Sequence, residues 1–103
     1  MWLLGVAMAV MLLAGAVMMA GGFVVARHRA ETAADLGALA GARQVAAGEA
    51  VACAEAARIV RANGGALAAC HVDGLDLVIT ARVAGPSGWG AARASARAGP
   101  ERA

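Results

Sequence analysis

A chain of 103 residues has room for one small domain and little more. A fold of that size buries too little surface to stand comfortably without a staple, a partner or a membrane anchor. Nine basic against seven acidic residues leave a net charge of +2, and the arginines are scattered from Arg27 to Arg102 without forming a run, which excludes the basic patch that nucleic-acid binding needs.

Residues 1–26 carry no charged side chain. As a helix they would reach about 39 Å, enough to span a hydrocarbon core of roughly 30 Å with some tilt. Trp2 suits one interface, and Arg27, His28 and Arg29 stop the segment at the other. A buried core helix is disfavoured, because so short a chain has little to surround it with. A cleaved secretory signal is the competing reading, since Val24, Val25 and Ala26 end in a small residue. Against it stand the length of the apolar run and the lack of a basic region ahead of it. The arginines after the segment would, by the positive-inside rule, hold the rest of the chain in the cytoplasm, whereas two cysteines speak for an oxidising exterior.

From residue 27 to residue 47 there is no proline and much alanine and leucine, so the helix is expected to run on unbroken. The charged residues Arg27, Glu31, Asp35 and Arg43 fall at multiples of four, on adjoining turns. Small residues recur at every fourth position, at Gly22, Ala26, Ala30, Ala34, Ala38, Ala42 and Ala46. That spacing lets helices approach closely and marks a candidate surface for helix association, although composition alone produces such stripes in an alanine-rich chain. Asp35 is either a solvated side chain or a register-setting group that pairs with an arginine, such as Arg43, of another copy.

Gly48 is expected to break the rod, and Glu49 to Ala62 reads as a second helix with Ala50, Cys53, Ala57 and Val60 on one face. Arg58 and Arg61 lie near the negative end of its dipole. Asn63, Gly64 and Gly65 tolerate the left-handed conformation that closes helices. The period then turns from helical to alternating. An apolar run over 66–72 leads to a hairpin signal at Asp73 and Gly74. A strand over 75–83 follows, placing Leu75, Leu77, Ile79, Ala81 and Val83 on one face and Asp76, Thr80 and Arg82 on the other. Residues 85–90 form a loop around Trp89. Residues 91–98 alternate again, with Ala92, Ala94 and Ala96 inward and Arg93, Ser95 and Arg97 outward, and the last five residues, from Gly99, are expected to fray. The predicted architecture is α+β: a long N-terminal transmembrane helix continuing into a short second helix packed on a small two- or three-stranded antiparallel sheet. It divides into a membrane segment (1–26), a helical extension (27–47) and a head (48–103).

Cys53 on the second helix and Cys70 in the following strand are the candidate structural disulfide, with two buried free thiols as the alternative. Such a bond would stabilise the head by about 3 kcal/mol on the loop-entropy model. His71 neighbours Cys70 but points to the opposite strand face, which disfavours a thiol–imidazole nucleophile. Ser87 and Ser95 have no G-x-S-x-G setting, and the loop around Trp89 lacks the lysine and following helix of a phosphate cradle. His28 and His71 do not complete a four-ligand metal set with the thiols. The expectation is a protein without catalytic residues, cofactor or metal. Trp89 is either a docking residue or a lid on the sheet.

Residues 25–43, VARHRAETAADLGALAGAR, resemble the helix of TadE/TadG-like proteins of bacterial tight-adherence (Flp) pili. There an apolar segment runs into a version of R-x-x-A-x-x-A-A-D-x-x-A-L-A, held here by Arg27, Ala30, Ala33, Ala34, Asp35, Ala38, Leu39 and Ala40. More narrowly, CAEAARIVRANGG, CHVDGLDLVITARV and ARASARAGP resemble the short actinobacterial TadE-like family encoded near secretion ATPase and helicase genes. The resemblance implies a minor pilin-like or assembly subunit, single-pass in the cell membrane with its C-terminal head extracytoplasmic. Its implied partners are the lipid bilayer, other pilus or secretion-system membrane subunits and further copies of itself. The chain departs from the family in having no acidic residue within the apolar segment. The alternatives are a small secreted or membrane-active protein with a cleaved N-terminal signal, and a module that senses an envelope ligand through its arginine-lined strand.

Overall fold

The computed structural model describes residues 1–100. Its elements are α1 (Trp2–Ala42), α2 (Glu49–Ala62), β1 (Ala66–Asp73), β2 (Asp76–Ala84) and β3 (Ala91–Ala98), with 3-10 turns at Val45–Ala47 and Pro86–Gly88. The α+β fold expected from the sequence is the one that forms, and its antiparallel sheet has three strands in the order β1-β2-β3. α1 lies over β2 and β3 and α2 over β1, so the helices cover one sheet face in a two-layer head. The unpacked start of α1 extends the molecule to 69 Å.

The helix predicted to reach Ala47 ends at Ala42 instead. Bonds from Gln44 N–H to the Gly41 carbonyl (2.9 Å) and from Gly48 N–H to the Val45 carbonyl (3.0 Å) tighten the chain into a 3-10 turn. Val45 packs on the core, and reaching it takes the backbone off the α1 axis. Gly48, with φ of 111°, begins α2 by accepting the Ala52 N–H at 3.0 Å. α2 closes in a Schellman motif: Gly65 N–H donates to the Val60 carbonyl and Gly64 N–H to that of Arg61, both at 3.0 Å, with Gly64 at φ 81°. Its buried line is Ala52, Ala56 and Val60, and the expected face differs because Ala50 is exposed and Cys53 sits at the edge.

In the sheet, Leu77, Ile79, Ala81 and Val83 point into the core as the alternation predicts. One expectation fails at the hairpin. Asp73 pairs with Asp76, so Leu75 belongs to the turn with Gly74 (φ 65°) and stays exposed. Asp76 lies on the face opposite the core residues, as the alternation predicts, and is covered there by Arg97, whose Nε donates to its carboxylate at 2.8 Å. β1 carries a bulge between Leu67 and Ala69, which pair with Ala81 and Thr80 respectively. The extra residue shifts the side-chain parity, so Leu67, Cys70 and Val72 all reach the core while His71 remains exposed. β3 alternates as expected, with Ala92, Ala94 and Ala96 half-buried and Arg93, Ser95 and Arg97 outward. Gly99 and Pro100 have no regular structure, and the rest of the tail expected to fray lies outside the described residues.

Candidate membrane anchor and association surface

Residues 2–21 are all exposed, because no other part of the described chain packs against them. The most apolar stretch of α1 is long and apolar enough to cross a membrane, and none of it is buried within the molecule. Contact with the head begins at the next turn. A Cβ on Gly22 would lie 2.8 Å from Pro86 Cγ, and one on Gly85 would lie 3.0 Å from Phe23 Cε1. The loop between β2 and β3 therefore rests on α1 at the end of its unpacked half.

From there the small residues face inward. Ala26 and Ala30 pack with Val83, while Ala33, Ala34 and Ala38 join Ala52, Ala56, Val60, Leu77, Ile79 and Ala81 in the main core. Ala42 is half-buried at its edge. Most of the stripe picked out for association thus meets the chain's own α2 and sheet, and Gly22 meets the loop. Asp35 is exposed and forms no ion pair among the described residues. Close packing also occurs at two residues the four-residue stripe omits, Gly37 and Gly41. A Cβ at Gly41 would come within 2.8 Å of the Ala52 carbonyl oxygen, and one at Gly37 within 2.7 Å of Val60 Cγ2. The signal that finds them is the sequence G-x-x-x-G at 37–41. A strict four-residue step drifts about 40° per step around a helix of 3.6 residues per turn, so the packed line alternates steps of three and four.

What α1 leaves to solvent within the head is a strip bearing Leu36 and Leu39, which are 43% and 57% exposed. With Ala40, Arg43, Ile59 and Asn63 they line a shallow groove between α1 and α2. His28, Arg29 and Thr32 separate this groove from the unpacked half of the same helix.

The head is held by covalent and polar clips at its periphery. Cys53 and Cys70 form a disulfide with Cα atoms 5.9 Å apart, joining α2 to β1. The Glu49 carboxylate at the start of α2 accepts the N–H of Val72 on the edge strand β1 at 3.1 Å. Arg97 on β3 donates to both Asp76 and Asp73 at 2.8 Å, tying the third strand to the β1–β2 hairpin. These hydrogen bonds, first that to Asp76 and then that to Asp73, hold its guanidinium above its usual pKa. On the exposed face of α2, Arg58 bonds Glu55 through two nitrogens and lowers the pKa of that carboxyl.

Residues 1–44, essentially all of α1, match the model of the family described as "Putative Flp pilus-assembly TadE/G-like". Over that helix the chain is similar to the TadE/G-like family. The chain is also 49% identical over 55 residues to a curated protein of Mycobacterium tuberculosis (strain ATCC 25618 / H37Rv) named "Apoptosis inhibitor Rv3654c". That match covers 53% of this chain and 66% of the mycobacterial protein. No solved structure matches the chain. In the TadE/G-like segment the family positions divide by burial: Ala30, Ala33, Ala34 and Ala38 serve the head, while Arg27, Asp35 and Leu39 remain exposed.

Proposed function

We propose that this protein is a minor pilin-like or assembly subunit of a Flp/tight-adherence type pilus or a related secretion apparatus. It is anchored by α1, carries its head outside the cytoplasmic membrane, and acts by helix association and not by catalysis. The observation that carries this reading is that α1 is a single helix with two fates. Its first half packs against none of the other described residues, and its second half is the spine of the head. A naked apolar half suits a bilayer or other helices, and the exposed Leu36 and Leu39 offer a separate apolar patch on the head.

Retention of the apolar segment is supported by its last turn. Cleavage after Ala26 would remove Gly22 and Phe23 from beneath residues 85–90 and Ala26 from its packing on Val83. An exterior head is supported by the Cys53–Cys70 bond, which persists best in an oxidising compartment.

A tagged copy purified in mild detergent should recover other pilus-type membrane proteins, and recovery of none counts against an assembly role. Orientation is read separately, by labelling intact cells with a membrane-impermeant thiol reagent. Cys53 and Cys70 are expected to react only after reduction. If they stay unlabelled until lysis, the head is cytoplasmic and the proposal fails.

A further inference from the structure

The two tryptophans of this chain lie far apart in sequence, at Trp2 and Trp89, and the fold sets them a defined distance apart. Residues 2–21 of α1 span about 30 Å, the thickness of a bilayer's hydrocarbon core. The next residues, Gly22 and Phe23, are where the β2–β3 loop rests: Pro86 sits over Gly22, and the Phe23 ring lies beside Gly85 and Gly90. With one end of α1 at the far interface, the loop falls at the level of the near one. It carries no charged residue, and it holds its shape through a hydrogen bond from Gly85 N–H to the Gly90 carbonyl at 3.1 Å.

Trp89 in this loop does not serve as a lid. Trp89 is 69% exposed, and at the same level Phe23, Val24 and Val25 are 41%, 57% and 51% exposed. An indole paired with aliphatic surface at the end of an apolar helix is the arrangement that suits the headgroup layer, where one part of the ring is dry and the N–H is wet. Charge appears only further out. Arg27 and Arg29 follow on α1, and Arg82 and Arg93 lie opposite each other on the exposed sheet face.

We propose that the β2–β3 loop is a second membrane contact, with Trp89 seated in the interfacial layer of the bilayer that α1 crosses. This rests on the anchoring reading above. Helix and loop then touch the membrane at two points, which fixes the tilt of the head and presents the Leu36–Leu39 strip at a set angle to neighbours. The arginines beyond the loop face lipid headgroups.

The test uses the full chain in vesicles of phosphatidylcholine and phosphatidylglycerol, with bromine placed either shallow or deep on the acyl chains. Trp2→Phe leaves Trp89 as the single fluorophore, and Trp89→Phe leaves Trp2. The expected result is blue-shifted Trp89 emission, quenched more by the shallow label than by the deep one. Trp89 emission that stays red-shifted and unquenched while Trp2 is quenched overturns the loop contact and leaves the anchor standing. Stronger quenching of Trp89 by the deep label overturns the interfacial placement. If neither tryptophan is quenched, the anchor and the loop contact both fail.

Discussion

Gly41→Ala tests the central packing claim, because two effects of the substitution act in opposite directions. In an isolated helix alanine is favoured over glycine by about 1 kcal/mol. Here the new methyl would meet the Ala52 carbonyl oxygen at 2.8 Å and Ala56 Cβ at 3.1 Å, and it would overlap a methyl of Leu77. Leu77 is the end of a flexible side chain, but the carbonyl belongs to α2 itself, so α1 and α2 must separate. Overpacking of this kind costs about 1–3 kcal/mol, and the backbone clash places Gly41 in the upper part of that range. The expected net loss is about 1–2 kcal/mol. For a domain of this size that lowers Tm by at least about 4 °C. Thermal unfolding in detergent micelles, followed by circular dichroism, measures it. Gly5→Ala, where nothing lies within 4 Å, supplies the control for propensity alone. A Tm that rises for Gly41→Ala as it does for Gly5→Ala would falsify the α1–α2 contact and the placement of α1 in the core.

Replacing Cys53 and Cys70 together by alanine should lower the stability of the head by about 3 kcal/mol, seen as an earlier denaturant midpoint that matches wild type under reductant. A reductant-insensitive wild type would show that the bond does not clip α2 to β1. Leu36→Asp and Leu39→Asp change exposed positions, so the melting temperature should hold while recovery of partner proteins with a tagged copy falls. Unchanged recovery removes that strip from the association surface. The Glu55 carboxyl, its pKa lowered by Arg58, binds its proton less readily folded than unfolded. Its small contribution is therefore present at neutral pH and lost as pH falls through the lowered value. Glu55→Gln should flatten that part of the acid limb of stability, and an identical acid limb in the variant argues against the pair.

The element types were readable because each has a strong local cause. The uncharged run, the Asn63-Gly64-Gly65 stop and the alternation of Leu77, Ile79, Ala81 and Val83 are each explained within a few residues. What escaped depends on contacts between elements. Nothing local marks the bulge at Leu67 and Ala69, yet it decides which way Cys70 faces. The end of α1 at Ala42 follows from Val45 turning to a core that residues distant in sequence create. Asp76 looks like a solvent residue by alternation, and only the pairing of β2 with β3 brings Arg97 to it. The stripe of small residues was visible, but its partner was not: periodicity shows that a face is smooth, not whether another chain or the same chain lies against it.

That distinction changes how anchor and head are connected. Among the described residues only Leu77, Ile79 and Val60 are large and fully buried, and alanines supply most of the remaining core. Alanine side chains bring little apolar area each, so such a core gains its cohesion from close backbone approach, which Gly37 and Gly41 permit, and from the disulfide at its edge. The helix that makes this close approach is the one that leaves the head as the apolar rod, with no break between residues 2 and 42. A head on a flexible linker can turn independently of its anchor. Here α1 cannot rotate or shift along its axis without dragging the Ala30–Gly41 face across α2 and the sheet, so a force applied to the apolar half reaches the head directly. A subunit that is assembled or extracted through its membrane helix needs that rigid coupling, and a glycine or proline insertion near residue 24 is the change that would remove it while leaving both halves intact.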